Sequence, residues 1–450
     1  MAAELIKLNR IDDARIIYQE LIQSGLATYL SYANLAMIYA QRNQVKKSLL
    51  LVLKALQINQ NSSDAYNTLA SLLKKRGRYL DAICCYKAAI KLDPESLVFF
   101  SNLGYAYHEN GMIDNAINSY RKAVLLRPEC PDLQMDLALA ELLASNCSKG
   151  WERFEYRLQC QRDLGIPEAK SCWSRWTGQQ LPYGKELFLI GEQGLGDTLQ
   201  FMRYVLPLRM AGITTRICAN EQLHSVIKSS GIDHAPVTPG QVEGMTGITW
   251  VPLLSVPGLL GVTPNNPIVD KPYIVPDQIL LRKWRAIMSN ERRPIVAINW
   301  KGNPKAEKSG MLFGRSLDLE CFEVLAKTLD LTLVSLQKGV NSDQVKSCSF
   351  SKRFVGFQSQ VDEAMDLGET AAVIANCDLV ITCDTSVAHL SGGMGKLTYL
   401  LLHKSSDWRW GTESNRTFWY DSVRLFRQQE LGSWELPMLK VASEIVHCFK

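Results

Sequence analysis

The sequence predicts two kinds of structure in series: an all-α repeat solenoid, then an α/β region built of two halves. Three observations predict it. Small and aromatic residues recur at a 34-residue offset early in the chain, apolar spacing changes from helical to short continuous runs at Glu186, and such runs then alternate with amphipathic stretches as far as Leu402. At 450 residues the chain is long enough for two or three domains, each with its own core.

The repeats come first. Tyr66, Leu69, Ala70, Gly77, Ala82, Tyr86, Ala89 and Pro94 align with Phe100, Leu103, Gly104, Gly111, Ala116, Tyr120, Ala123 and Pro128 at a constant offset of 34, and a weaker copy keeps Tyr32, Leu35, Ala36, Tyr39 and Ala55. Small residues at Ala70 and Gly104 let the first helix of a hairpin approach the second, while Tyr86 and Tyr120 fill the space between hairpins. Asp93-Pro94 and Arg127-Pro128 end second helices, because proline supplies no interior helical hydrogen bond. These positions resemble the tetratricopeptide pattern, in which stacked hairpins bury one continuous core. Residues 9–26 read as the second helix of a preceding repeat, with Ala14 and Tyr18 at packing positions. Residues 131–160 keep apolar helical spacing but lose the small residues, and Trp151, Phe154 and Tyr156 suit a terminal cap or a docking helix. Asn34, Asn67 and Asn102 recur at related positions; they can hydrogen-bond an extended peptide or form a solvated polar face.

A polar connection over 161–184, containing Pro167 and Pro182, leads into the second region. A strand is expected at Glu186–Ile190, an amphipathic helix over Leu199–Leu208, and strands or turns at Thr215–Cys218, His234-Ala235 and Ile248–Leu253. A second series begins at Pro294–Asn299 and continues with Leu331–Leu336, Leu379–Thr382 and Thr398–Leu402; helices are expected over Leu319–Leu329 and Val361–Ala375. Strands alternating with helices favour parallel sheets covered on both faces. A division near Pro272–Pro276 gives halves at 185–275 and 276–450 around a cleft.

Several strand-to-helix junctions carry candidate chemistry. In Gly191-Glu192-Gln193-Gly194-Leu195-Gly196-Asp197-Thr198 the glycines permit a tight turn, and Asp197 at a helix start either caps free amides or aims a carboxylate into the cleft. The spacing is not the dinucleotide fingerprint. Asp384-Thr385-Ser386 follows another strand, so Thr385 or Ser386 can cap a helix whose amides receive a phosphate; His389, one turn further, contacts that phosphate, orients Asp384, or packs as a neutral ring. Trp300-Lys301-Gly302-Asn303 adds another flexible junction, and Arg315-Ser316 either supplies anion contacts or makes an ordinary surface salt bridge; Gln337-Lys338-Gly339, beyond a strand end where open α/β folds bind ligands, either reads a base edge and supports phosphate or is a solvated turn. Asp407-Trp408-Arg409-Trp410, Trp419-Tyr420 and Phe426-Arg427 form an aromatic, basic tail that either closes over the cleft or packs against a core.

Other classes are excluded on motif and composition. The chain shows no HExxH, Walker loop, GxSxG elbow or zinc-like cysteine grouping. Its net charge of +5 is spread over the whole length with no aromatic-basic platform, so nucleic acid is not an expected partner. Scattered cysteines, no secretory stretch and no apolar run near the roughly 18 residues of a membrane span lead to the expectation of a cytoplasmic protein without a transmembrane segment.

Jointly, Gly191–Thr198, Trp300–Asn303, Gln337–Gly339, Asp384–His389 and Asp407–Trp410 resemble the tetratricopeptide-repeat glycosyltransferases related to bacterial heptosyltransferases, with more distant similarity to protein O-linked N-acetylglucosamine transferases. The resemblance implies a GT-B-like catalytic region of two Rossmann-like domains, the first receiving the acceptor and the second holding a nucleotide-sugar. It implies Asp197 as the general base, within an acceptor-side loop of Glu192, Gln193, Gly194, Gly196 and Thr198. The implied donor-binding set is Lys301, Asn303, Arg315, Gln337, Lys338, Asp384, Thr385, Ser386 and His389. Arg315, Lys338 and the amides near Ser386 would stabilise the departing diphosphate, so neither a metal nor a cofactor is expected and the nucleotide-sugar is a substrate. The acceptor is a protein or a saccharide, and the array recruits it or another peptide or protein. Lys301 stands where relatives carry a small residue, and Pro304–Phe313 carries extra charge, which implies a changed donor contact or acceptor preference. The alternative is a noncatalytic tetratricopeptide scaffold with an inactive transferase-like domain.

Overall fold

The computed structural model describes residues 2–160, 172–307, 314–412 and 414–449. The chain divides into two compact units, Met1–Ala144 and Ser145–Lys450.

The first unit is an α-solenoid of helices α1 (Ala2–Lys7), α2 (Ile11–Gln23), α3 (Tyr29–Gln41), α4 (Val45–Ile58), α5 (Ser63–Lys75), α6 (Tyr79–Leu92), α7 (Leu97–Glu109), α8 (Ile113–Leu126) and α9 (Pro131–Leu143). Ala14, Ala36, Ala70, Ala82, Tyr86, Ala89, Ala116, Tyr120 and Ala123 are buried at the helix contacts. Gly104 is needed for space: a Cβ there would lie 2.7 Å from the Tyr120 ring. The turns between paired helices reach a left-handed backbone at Asn9, Asn43, Gly77 and Gly111, and Ser145 adopts the same conformation at the same 34-residue spacing. Asparagine and glycine tolerate that conformation best, which explains both residue types at one structural position. The periodic turn therefore reaches Ser145, beyond the last repeat that the small residues mark.

Ser145 opens the second unit and is followed by α10 (Cys147–Phe154). Trp151 and Phe154, expected on a cap or docking helix, are buried here: their rings lie 5.3 and 5.8 Å from Trp408, and the Trp151 indole donates to the Val262 carbonyl (2.9 Å). Residues 161–171, which include Pro167 of the expected connection, lie outside the described residues; a short strand, β1 (Ser174–Arg175), follows them.

The second unit holds two sheets. The first joins β1, β2 (Glu186–Ile190), β3 (Thr214–Cys218) and β4 (Thr249–Pro252) in the order β1-β4-β2-β3, all parallel. The second contains β5 (Ile295–Asn299), β6 (Thr332–Ser335), β7 (Leu379–Cys383), β8 (Thr398–Leu402), β9 (Arg416–Thr417) and β10 (Tyr420–Arg427) in the order β6-β5-β7-β8-β10-β9, parallel except for β9 at the edge. β5, β7 and β8 are buried along their whole length, as their unbroken apolar runs predict. Val296, Ile298, Leu333, Ile381 and Leu401 form a core with Phe322, Leu325, Met438 and Val441.

Some expected elements differ. β10 was read as part of an aromatic tail; its alternation of buried and more exposed residues near the sheet edge hides the strand. The helix expected over Leu199–Leu208 begins at Leu195, passes through a 3-10 turn at Met202–Tyr204 and resumes at Val205–Met210, with Pro207 in its first turn. The helix expected over Val361–Ala375 is two, Gln358–Glu363 and Leu367–Asn376, because the Asp366 carboxylate accepts from Gly368 N and starts a new one.

Candidate functional site

The glycine turn after β2 runs directly into the helix Leu195–Phe201. Gln193 takes a left-handed backbone (φ 62°) and is exposed, and Thr198 is buried with its hydroxyl where a Gly191 Cβ would be. One Asp197 oxygen accepts from Gly194 N (2.9 Å), so the acid does cap its own helix. The other accepts from Arg409 Nη2 (2.5 Å). Burial pushes the Asp197 carboxyl above its usual range, against the pull of Arg409 and the Gly194 amide.

Arg409 is the centre of this arrangement. It is buried and donates from Nε to Gln200 (2.7 Å), from Nη1 to Asp407 (2.9 Å) and from Nη2 to Asp197. Asp384, at the end of β7, lies in the same field: burial and the Asp407 charge raise its carboxyl to about 6, against Trp410, Arg315 and Arg409. Three carboxylates and one guanidinium thus bring together the loop after β2, the loop after β7 and the segment that follows β8. The sequence offered Asp407-Trp408-Arg409-Trp410 as a motif without assigning Arg409 a partner. Its signal was a cation set between two tryptophans and preceded by an acid.

The helices that follow β2 and β7 approach at backbone distance here. A Cβ on Gly196 would lie 2.9 Å from His389 Cδ2 and 3.3 Å from Ser386 Cα, so only glycine lets the two helices meet. Ser386 begins the helix Ser386–Gly393, and Thr385 precedes it. Thr385 does not cap that helix with its hydroxyl, which instead donates to Asn299 Oδ1 (3.0 Å). His389 is buried between Trp410, stacked at 5.4 Å, and Tyr420, whose hydroxyl is 2.9 Å from Nδ1. Burial, with Arg409 and Arg203 nearby, holds His389 well below the usual histidine range. It is a neutral packing residue here, the last of its three sequence readings.

Other members of the expected donor set organise loops. Gln337, expected to read a base edge, is buried: its Oε1 accepts from Asn299 Nδ2 (3.1 Å) and Lys301 N (2.9 Å). The cause is the amides left unpaired where β5 ends, which need an acceptor once covered. Lys338 donates to the Val361 carbonyl, and burial lowers its ammonium. Arg315 lies against Gly302 and pairs with Glu307 (3.2 Å), and Lys301 faces Asp318 (3.5 Å). Asn303 is exposed, and its carbonyl accepts from Glu307 N (3.1 Å). Residues 308–313 of the charged loop lie outside the described residues.

Glu192, expected in the acceptor-side loop, is held by internal partners as well. Its carboxylate takes Nε and Nη2 of Arg157 (2.9 and 2.7 Å) and accepts from Leu254 N (3.1 Å), with both charged side chains buried. Nothing in the local sequence pairs residues 35 apart in this way. Among the described residues no His, Cys, Asp and Glu group is arranged to hold a metal, and no helix is long and apolar enough to cross a membrane.

Tetratricopeptide-repeat family models match residues 51–83, 70–111 and 99–130. Protein FlbA of Caulobacter vibrioides is 25% identical over 340 residues, covering 70% of this chain and 54% of that protein, so the chain spans about half the length of this relative. A match of that extent is longer than the first unit and continues into the second. Solved structures similar to the chain include MamA (19% identity, 35% of this chain, 93% of that one, TM-score 0.32). YrrB, described as a tetratricopeptide-repeat protein with an unusual peptide-binding site, is another (18%, 36% and 82%, TM-score 0.31).

Proposed function

We propose that the repeat unit binds a protein or peptide partner and that the α/β unit transfers a sugar from a nucleotide-sugar donor to an acceptor hydroxyl. The observation that carries the transfer half is the convergence of Asp197, Asp384 and Asp407 on Arg409 where the helices that follow β2 and β7 meet at Gly196. The order β6-β5-β7-β8 supports a Rossmann-like reading of the second sheet and, with the first, a GT-B-like pair; in such sheets ligands bind at the strand ends where the order reverses, here between β5 and β7. In this reading an acceptor O–H gives its proton to Asp197 as its oxygen bonds to the anomeric carbon. The bond from that carbon to phosphate breaks, and its electron pair leaves with the nucleoside diphosphate.

A second reading keeps the repeats as the functional part and gives the α/β unit no transfer chemistry. The repeat-family matches favour protein binding, and the pairing of Arg409, Arg315 and Lys301 with resident carboxylates favours an inert site. Titrating the full chain with a panel of nucleotide-sugars, and analysing products by mass spectrometry with candidate hydroxyl acceptors, separates the two. Binding with sugar transfer supports the transferase; folded protein that binds no nucleotide-sugar refutes it.

A further inference from the structure

Three of the site's cations already face carboxylates of the chain itself. Arg409 holds Asp197 and Asp407, Arg315 holds Glu307, and Lys301 faces Asp318. Of these, the Arg409 to Asp197 contact is the one that ties the proposed base itself. Both oxygens of Asp197 are committed, one to Gly194 N and one to Arg409 Nη2, so neither lone-pair direction used for those bonds is open to an acceptor hydroxyl. Any anionic group that approaches meets a guanidinium that already gives three of its five N–H groups to Gln200, Asp407 and Asp197, and two of these partners are carboxylates. Its attraction to Arg409 is opposed by these two carboxylates, which are its competitors of like charge.

We propose that the donor's diphosphate and the Asp197 carboxylate are alternative anions for Arg409, so that donor binding frees Asp197 to accept the acceptor proton. This rests on the transferase reading and adds an order to it: the nucleotide arrives first and uncovers the base. Without a nucleotide, Asp197 stays tied to Arg409 and does not activate a hydroxyl, including that of water. Asp407, on Nη1, is a second carboxylate with which an incoming anion competes for the same charge. The coupling is reciprocal: the factor by which a bound anion weakens Asp197's hold on Arg409 is the factor by which that hold weakens binding of the anion.

The test uses nucleoside diphosphates without sugar. UDP, ADP, GDP and CDP are titrated calorimetrically into the full-length protein and into the D197N, D407N and R409Q variants. Removing a competing carboxylate should tighten binding of whichever diphosphate the wild type takes by about tenfold in D197N, in line with close buried charge pairs. D407N should tighten it too, and R409Q should lose it. D407N leaves the Asp197 turn untouched, so the comparison survives if D197N fails to fold. Affinities in both acid-to-amide variants equal to or weaker than wild type overturn the competition while leaving the transferase reading intact. No diphosphate binding by any folded form removes the transferase reading and this inference with it.

Discussion

Replacing Glu192 with Gln tests whether this residue supports the fold or faces a ligand. Arg157 and Glu192 are each about 2% exposed and share two hydrogen bonds of 2.9 and 2.7 Å. Removing one charge of a buried pair costs about 3–5 kcal/mol, because the other charge is left desolvated. Two contacts reduce the cost here: Arg157 Nη1 keeps Glu155 at 2.9 Å, and its guanidinium lies 4.7 Å from the Phe154 ring. The expected loss is therefore at the lower end, about 3 kcal/mol. All ten tryptophans lie between Trp151 and Trp434, so urea unfolding followed by tryptophan fluorescence reads the second unit alone. An apolar double replacement, R157M with E192L, should recover part of the loss but leave the Leu254 amide without its acceptor, at about 1–2 kcal/mol. A loss below about 1 kcal/mol in E192Q, together with weakened nucleotide-sugar binding or transfer, would refute the structural role and return Glu192 to the ligand.

Two more outcomes follow from the packing and the acids. Gly104→Ala should destabilise the repeats by about 1–3 kcal/mol, even though alanine gains roughly 1 kcal/mol of helix propensity, because its methyl meets the Tyr120 ring; circular dichroism at 222 nm should show a lowered transition while the tryptophan transition stays in place. Asp384 has its carboxyl raised from 3.8 to about 6, so the folded unit holds that proton more tightly than the unfolded chain and loses stability as pH rises from about 4 through 6. D384N should remove that loss, being more stable than wild type above pH 6 and equal to it below pH 4, as read by urea unfolding across pH; a constant difference over that range would contradict the shift.

What was legible in the sequence was what repeats or alternates. The 34-residue offset found the hairpins because Ala70, Gly104, Tyr86 and Tyr120 meet the same packing problem in each copy. Continuous apolar runs found β2 and β5 to β8 because both of their faces are covered. Strands that mix polar and apolar residues, β10 above all, were invisible to that criterion. The turn at Ser145 was hidden differently: its φ belongs to the series begun at Asn9, but serine is not a residue that marks such a turn. For the site, sequence could nominate Asp197, Asp384 and His389 by their places at strand ends. It could not say that Arg409, 212 residues away, would lie on Asp197, or that Gln337 would turn inward to three loop amides. Those are facts of tertiary pairing, and no local pattern carries them.

The helix Ser386–Gly393 meets neighbours at both of its ends. Near its start it abuts Gly196, and at its end the Gly393 carbonyl accepts from Tyr273 N and Ile274 N (2.9 and 3.0 Å), with Ile274 occupying the space a Gly393 side chain would need. A rod fastened at both ends does not swing. The helix whose first turn would face a bound phosphate is therefore coupled mechanically to the first sheet, and a motion that opens the cleft must bend the chain elsewhere or unfasten one of these glycine contacts. Enlarging either glycine would change the range of that motion before it touched any group that does chemistry.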